Sequence, residues 1–256
     1  MLGLHRIGIA VAALGGASAA SAHDFFLLPD QFTTQQQASI NLQATVGSSF
    51  PKPEAAVPAD RAERLFAIGN GAPKLTIVGP TATALGLRLT GARPGTLVAV
   101  AQAKGRDVEY GEDRIPLILE EYRVSPQAQA AVGALAKPRT LKVLSRRFAK
   151  TIICVVSCRN LEAARRPAGS TLEFVAVGNG MAHFRLLSDG RALRNYPVDL
   201  VSEDGKRTHM VSDANGDVHL PAEARGPSML FAAVLTPPSS GDRFTLDLST
   251  LTFSRP

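Results

Sequence analysis

Seven short apolar or alternating segments, each followed by turn residues, decide the fold of the second half of the chain. They are LEFVAV (172–177), HFRLL (183–187), VDLV (198–201), THMV (208–211), DVHL (217–220), MLFAAVL (229–235) and LDLSTLTF (246–253). Many short strands at regular spacing are typical of an all-β sandwich. We therefore predict that residues 166–256 form a small β-sandwich.

Three dipeptides predict hairpins between these strands. Asp189-Gly190, Asp204-Gly205 and Asn215-Gly216 have the composition of two-residue turns that join antiparallel neighbours. His209 and His219 flank the third turn. If a hairpin forms there, the two imidazoles either face each other across the ladder or lie on its solvent face, and the second arrangement is the one expected.

The first half of the mature chain shows the same period-2 alternation, interrupted by one helical stretch. Strands are predicted at 22–30, 40–46, 75–77, 85–89, 96–103 and 148–156, and two short helices within 115–136, separated at Pro126. The segment NLEAARRPAGS (160–170) has the composition of a linker. The sequence thus predicts a mainly β protein with a β-rich domain at 23–165, carrying short helices, and a sandwich at 166–256.

The first 22 residues have the pattern of a signal peptide. Arg6 precedes an apolar stretch at 7–14 that is too short to cross a bilayer, and Ala20-Ser21-Ala22 is an A-x-A cleavage signal. We predict export to the periplasm, cleavage after Ala22, and a mature protein that does not span the membrane. The oxidising compartment is one in which disulfides persist.

Cleavage after Ala22 would make His23 the first residue of the mature chain. Its α-amino nitrogen and its ring nitrogen could then chelate one transition metal ion, since imidazole suits Ni, Co, Cu and Zn. Cleavage after Ala20 would place two residues in front and remove this chelate. The alternative interpretation of His23 is that it only begins the first strand.

Three other histidines remain in the mature chain. His183, His209 and His219 form no HxH or HExxH pattern, so a metal site would have to assemble across strands, together with His23. The alternative for each is an ordinary polar position on a strand. The loop at 213–217 resembles a calcium loop, but Val218 and Ala224 stand where that loop needs Gly and Glu.

Cys154 and Cys158 can pair only if the chain bends between them. On one straight strand their Cα atoms would be roughly 13 Å apart, whereas a disulfide needs less than about 7 Å. Export favours a disulfide, and a soft-metal site made by the pair is the alternative. Nearby Lys150 alternates with apolar residues, so it either pairs with an internal carboxylate or faces water.

Composition and motifs exclude several classes of function. Hydrophobic residues make up 45% and charged residues 20% of the chain, which excludes a disordered protein. The formal net charge is +6, but the basic residues are scattered without aromatic interleaving, so we predict no nucleic-acid partner. GxSxG, GxxxxGK[ST] and GxGxxG motifs are absent, and we predict that the protein is not an enzyme.

Several segments in order resemble a family of exported proteins labelled as a periplasmic component of cobalt or nickel transport (NikM-like, a domain of unknown function). The segments are AHDFFLLPD (22–30), LQATVGSSF (42–50), IPLILEEYRVS (115–125), RRFAKTIICVV (146–156), SDGRALRNYPVDLVSEDGK (188–206), SDANGDVHLP (212–221), MLFAAVL (229–235) and STLTF (249–253). Members commonly carry a His where this chain has Leu235, and a Trp near the last strand where Phe244 stands.

The resemblance implies a fold and a function. The fold is a β-rich domain followed by a transthyretin-like or carboxypeptidase-regulatory-like sandwich. The function is that of a metal-binding accessory protein that takes up nickel or cobalt, with copper or zinc not excluded, and serves a membrane metal importer. The alternatives are a metal-free interaction module and a copper redox protein that uses His23.

Overall fold

The computed structural model describes residues 23–36 and 39–256; the predicted signal peptide, residues 1–22, lies outside the described residues. The chain is mainly β, as predicted. The strands are β1 (Asp24–Pro29), β2 (Thr33–Thr34), β3 (Ser39–Gly47), β4 (Ala55–Ala56), β5 (Ala62–Ile68), β6 (Gly71–Pro80), β7 (Leu85–Ala92), β8 (Gly95–Gly111), β9 (Thr140–Val155), β10 (Leu172–Ala176), β11 (His183–Ser188), β12 (Arg191–Ala192), β13 (Pro197–Ser202), β14 (Arg207–Val211), β15 (Asp217–His219), β16 (Gly226–Thr236) and β17 (Arg243–Arg255). The helices are α1 (Ile115–Glu121), α2 (Pro126–Gly133) and α3 (Glu162–Arg165), with a 3₁₀ turn at Ala59–Arg61.

One eight-stranded sheet runs through both halves of the chain. Its order is β14-β13-β16-β17-β9-β8-β5, with β2 beside β9. The halves join where β9 and β17 pair in parallel, from Lys142↔Arg243 to Thr151↔Thr252. The two predicted domains, 23–165 and 166–256, therefore share a sheet; the boundary near residue 165 itself stays a prediction.

Alternating side chains of the central sheet build a different core on each face. On one face Val98 packs in a cluster with Phe184 of the small sheet β10-β11-β12, in which β15 pairs with β11. On the other face Leu97 packs in a cluster with Leu87 of the sheet β1-β3-β7-β6, in which β4 pairs with β3. Neighbouring strand residues point to opposite faces, so a strand whose consecutive residues are all buried must be covered on both sides. The long runs of buried residues in β8 and β9 show this property.

The two predicted helices are present and cover the far end of the central sheet, on the same face as β1-β3-β7-β6. Pro126 begins α2, where the Ser125 hydroxyl accepts a hydrogen bond from the Ala128 N–H group at 3.4 Å. Ile118 of α1 and Val132 of α2 pack in a cluster with the strands β9, β16 and β17. Within residues 23–36 and 39–256 none of the helices has the length and apolar character needed to cross a bilayer.

Two of the three predicted hairpins form, and the third prediction is wrong. Asp189-Gly190 joins β11 to β12, and Asp204-Gly205 joins β13 to β14. The turn at Asn215-Gly216 instead carries the chain from β14 in the central sheet to β15 in the small sheet. His209 and His219 therefore neither face each other nor share one hairpin, because the turn sequence sets local dihedral angles but not the partner strand.

A disulfide joins Cys154 to Cys158, with their Cα atoms 5.1 Å apart. Strand β9 ends at Val155, and Val156 has a positive φ of 65°. This left-handed residue turns the chain back, which supplies the bend that a straight strand lacks. The exposed side chain of Val156 lies at the outside of this turn.

Lys150 and Glu173 form a fully buried ion pair between the central sheet and the small sheet. The Lys150 ammonium donates to Glu173 Oε2 at 2.9 Å and to the Phe174 carbonyl oxygen at 2.7 Å. Glu173 also accepts hydrogen bonds from the backbone N–H groups of Ala168 and Gly169. Of the two arrangements open to Lys150 from the sequence, the internal pair is the one formed.

Candidate functional site

The start of β1 lies between two cavities. Neighbouring residues of a strand point to opposite faces, and His23 lines a cavity of about 310 Å³ while Asp24 lines another of about 530 Å³. We call the first the His23 pocket and the second the Asp24 cavity. The side chains of two successive residues therefore reach two different chemical environments.

The His23 ring is open to solvent and has a carboxylate beside it. It is 57% exposed, and its Nε2 atom lies 3.8 Å from Glu54 Oε2. Glu54 accepts hydrogen bonds from the N–H group of Ser48 at 3.0 Å and from its hydroxyl at 2.7 Å. These hydrogen bonds lower the pKa of Glu54, so the carboxylate is ionised at neutral pH.

The backbone of His23 is also held in place. The guanidinium of Arg147, on β9, donates to the His23 carbonyl oxygen at 3.0 Å. Hydroxyl groups of β17 hold the next part of β1, since Thr250 donates to the Phe25 carbonyl and Thr252 to the Leu27 carbonyl, each at 2.6 Å. The first residues of β1 are thus tied to the central sheet, while the His23 ring projects from it.

A network of carboxylates and guanidinium groups extends from the lining of the Asp24 cavity, through Arg207, to Asp199. Arg207 donates to Asp24 Oδ2 at 2.6 Å and to Asp199 Oδ2 at 3.0 Å, and both carboxylates are 4% exposed. Burial raises the pKa of Asp24 to about 6, against the opposing effect of Arg207. The second oxygen of Asp24, Oδ1, has no hydrogen-bond partner among the described residues.

Asp199 is the centre of this network. Its Oδ1 atom lies 2.8 Å from the Arg123 guanidinium and 2.7 Å from His209 Nδ1. Arg123 follows α1 with a positive φ of 49° and also donates to the carbonyl oxygens of Val198 and Met210, each at 3.3 Å. Asp199 therefore ties the loop after α1 to β13 and β14.

The four predicted metal ligands fall into three places. His183 and His219 are register partners on β11 and β15, and their rings stack with centroids 4.1 Å apart. His209 contacts Asp199, and His23 contacts Glu54. Within residues 23–36 and 39–256, no group of three or more His, Cys, Asp or Glu side chains is arranged to hold a metal ion.

The stacked histidines each have a carboxylate nearby. His183 Nε2 lies 3.2 Å from Asp217 Oδ2, and His219 Nε2 lies 3.7 Å from Asp213 Oδ2. Arg185 binds both oxygens of Asp217, at 2.6 and 3.0 Å. Asp217 thus already has a cationic partner, and this pair of histidines belongs to a surface ion-pair network.

Of the residues around Asp199, sequence reasoning identifies His209, as a candidate metal ligand, but not Asp199 itself, Arg123 or Arg207. The one local signal was a carboxylate inside the apolar segment VDLV (198–201), because a buried Asp is rare unless it is paired. Its partners Arg123 and Arg207 carry no such signal. They come from the loop after α1 and from β14, so their convergence depends on the sheet order.

Comparison with known proteins places the chain in a family without assigning an activity. A family model described as "Domain of unknown function (DUF4198)" matches residues 20–235. A solved structure described as the "D0-D1 domain of Intimin" aligns with 89% of this chain and 97% of its own, at 15% identity and a TM-score of 0.20, which is too low to support any inference. The search of curated proteins returned no match.

Proposed function

The chain belongs to the DUF4198 family of domains of unknown function, and we propose that it is an exported accessory protein that binds a divalent transition metal ion, nickel or cobalt, as cargo. The proposed ligands are the α-amino nitrogen and the Nδ1 atom of His23, after signal-peptide cleavage at Ala22. The bound ion would then be passed to a membrane importer. The resemblance of the eight quoted segments to a family labelled as a periplasmic cobalt or nickel transport component supports this proposal.

The position of Glu54 is the observation that carries the proposal. Imidazoles that bind metals usually donate their other ring N–H group to a carboxylate, which fixes the ring and raises its basicity. Glu54 Oε2 lies 3.8 Å from His23 Nε2, a distance that allows charge attraction but is longer than a hydrogen bond. This leaves Nδ1, the ring nitrogen closer to the backbone, to act together with the amino group.

The surroundings of the other histidines favour a chelate made by the first residue alone. His209 lies beside Asp199, and the stacked pair His183 and His219 lies beside Asp217 and Asp213. Neither place includes His23. A chelate of two protein nitrogens leaves the remaining coordination positions for water or for a receiving protein. Such a site suits an ion that is handed on rather than kept.

Calorimetric titration of the correctly processed protein with nickel, cobalt, copper and zinc tests the proposal. We expect one ion per chain, and loss of binding in the variant His23→Ala. His219→Ala is the matched control, because the His219 ring is 64% exposed and the His23 ring 57%. Unchanged affinity in His23→Ala, or equal loss in both variants, would contradict the proposal.

A metal-free interaction module is the second candidate, favoured by one edge strand. Strand β6 ends the sheet β1-β3-β7-β6, and it exposes Ile77 by 41% and Val78 by 56%. An exposed edge can take an added strand from a partner. A partner from the cell envelope that stays bound in chelator and is lost in the variant Val78→Lys would favour this function over metal binding.

A further inference from the structure

The His23 pocket has an apolar floor. Phe25 and Val57 are less than 10% exposed, and both line the pocket together with Val46, Val108 and the ring of Tyr110. These residues come from β1, β3, β8 and the segment after β4. A pocket with such a floor can take up the apolar part of a small molecule, and about 310 Å³ is at the lower end of the volumes of small-molecule sites.

The same pocket is surrounded by positive charge. Arg61, Lys104, Arg106 and Arg147 line it, and among the described residues that do so there is no Asp or Glu. Arg61 and Arg147 donate to the backbone carbonyl oxygens of Lys104 and His23. Glu54, at the rim beside His23, is the carboxylate that the structure places nearest to this ring.

These four cations differ from the other basic residues that line cavities. Arg123 and Arg207 each bind the buried carboxylate of Asp199. In the part of the chain that the structure describes, none of the four cations around the His23 pocket forms a salt bridge with a carboxylate, whereas Arg146, the residue before Arg147, binds Asp247. The charge of Arg147 also lowers the pKa of Asp24, whereas Arg61, Lys104 and Arg106 have no carboxylate partner among the described residues and are available to an anion from outside.

Hydroxyl groups add hydrogen-bonding capacity at the inner end. Tyr110 and Ser145 line the pocket, and Ser145 is buried. Burial raises the pKa of Tyr110, and the charges of Arg147 and Arg106 oppose this shift. The phenol thus keeps its proton at neutral pH and lies near both guanidinium groups, where it can donate to the same anion.

We propose that the His23 pocket binds a small amphipathic organic anion, a carboxylate that carries an apolar chain. The carboxylate lies between Arg106 and Arg147, and the chain lies on Phe25 and Val57. This site goes beyond metal binding and does not require it. It also accounts for the combination of an apolar floor with unpaired cations, which a bare metal ion would not use.

Calorimetric titration of the metal-free protein in EDTA with octanoate tests this site. We expect saturable binding of octanoate. Acetate, which lacks the apolar chain, and octylamine, which carries the opposite charge, are expected to bind at least about tenfold more weakly. Equal binding of octylamine, or of acetate, would overturn the proposal, as would no saturable binding of octanoate.

A charge-matched pair of double variants locates the binding. Lys104 and Arg106 are exposed, so Lys104→Gln/Arg106→Gln removes two charges from the pocket without disturbing the core. Lys74→Gln/Arg88→Gln removes two exposed charges from β6 and β7, away from the pocket. We expect at least about tenfold weaker octanoate binding in the first and unchanged binding in the second; equal effects would overturn the assignment. Because EDTA is present, these outcomes are independent of metal binding at His23.

Discussion

Charged groups are arranged differently in the two cavities at the start of β1, the Asp24 cavity and the His23 pocket. On the Asp24 side, Arg207 binds the buried carboxylates of Asp24 and Asp199, and Asp199 also binds Arg123 and His209. In the His23 pocket four cations surround an apolar floor, and none forms a salt bridge with a carboxylate among the described residues. The buried carboxylates on the Asp24 side therefore have cationic partners within the fold, whereas the cations of the His23 pocket have no salt-bridge partner among the described residues.

The difference distinguishes charge that stabilises the fold from charge that is available to a ligand. A buried carboxylate left without its partners is strongly destabilising, so paired buried groups are needed for folding. An exposed cation without a partner costs little and contributes little to stability. The Asp24 cavity should therefore respond to mutation through stability, and the His23 pocket through binding.

The largest expected effect is on the Asp24 side. Asp199→Ala removes the shared partner of Arg123 and Arg207, and we expect it to lower the free energy of unfolding by about 3 kcal/mol. Urea unfolding followed by circular dichroism measures this value. The control is Asp107→Ala, whose exposed pair with Arg243 should contribute less than about 1 kcal/mol. Similar losses in both variants would remove the contrast between the two sides.

The next effect is a pH dependence caused by Asp24. Because burial raises its pKa from 3.8 to about 6, the folded protein binds this proton more tightly than the unfolded chain does. The resulting stabilisation is complete below about pH 4 and is lost as the pH rises through 6, a change on the order of 2–3 kcal/mol.

Comparison with Asp24→Asn isolates this titration, since the other carboxyl groups titrate in both proteins. Urea unfolding in EDTA at pH 4 and pH 7 should show the wild-type protein losing stability relative to Asp24→Asn as the pH rises. A stability difference that stays constant over this range would show that Asp24 does not titrate there.

On the His23 side, the expected effect of Glu54 is on affinity. Glu54→Gln keeps the size of the side chain but removes the negative charge beside His23 Nε2. Loss of such an outer carboxylate typically weakens metal binding by about 10–100-fold. Nickel titration of the processed variant measures it, with Glu63→Gln as the control because the Glu63 carboxylate accepts a hydrogen bond from Gln102 rather than lying beside His23. An unchanged affinity in Glu54→Gln would exclude the proposed role of Glu54.

The smallest expected effect is the change in the free energy of unfolding when charges are removed from the His23 pocket. Lys104→Gln/Arg106→Gln should change the free energy of unfolding by no more than about 0.5 kcal/mol, because both side chains are exposed and unpaired. Urea unfolding of this variant and of Asp199→Ala compares the two sides through the same quantity, the free energy of unfolding. A loss of several kcal/mol in the double variant would mean that its charges stabilise the fold after all.

Local sequence patterns were sufficient to predict many of the strands and two of the hairpins, but not β5 (Ala62–Ile68) or the first half of β9. Alternation in 40–46 and 85–89 predicts β3 and β7, because one face of each strand is buried. Asp189-Gly190 and Asp204-Gly205 form the predicted turns. In each case the information lies within a few neighbouring residues.

Long-range pairing was not predictable in the same way. Nothing in the sequence around β9 and β17 specifies that these strands, about a hundred residues apart, lie side by side. The strand after Asn215-Gly216 pairs with β11 because Val218 is buried in the cluster that contains Phe184, which outweighs the hairpin signal. The network around Asp199 depends on the same sheet order, so it emerges only from the fold.

His23 was identified by a different kind of evidence. Its position after an A-x-A signal drew attention to it, and the structure adds Glu54, whose place beside His23 depends on the pairing of β3 with β1 and β4. From the sequence alone, the cations of the His23 pocket are indistinguishable from scattered surface charge. Their convergence on an apolar floor becomes visible when β8 and β9 are placed beside β1.

Nickel titration of two proteins that differ only at the amino terminus tests the central claim most directly. One begins at His23, and the other carries Gly-Ser-Gly-Ser-Gly-Ser in front of it, which keeps the imidazole and Glu54 but moves the α-amino group away. The account predicts one nickel ion per chain for the first and at least about tenfold weaker binding for the second. Equal affinity of the two proteins, or no binding by the one that begins at His23, would contradict it.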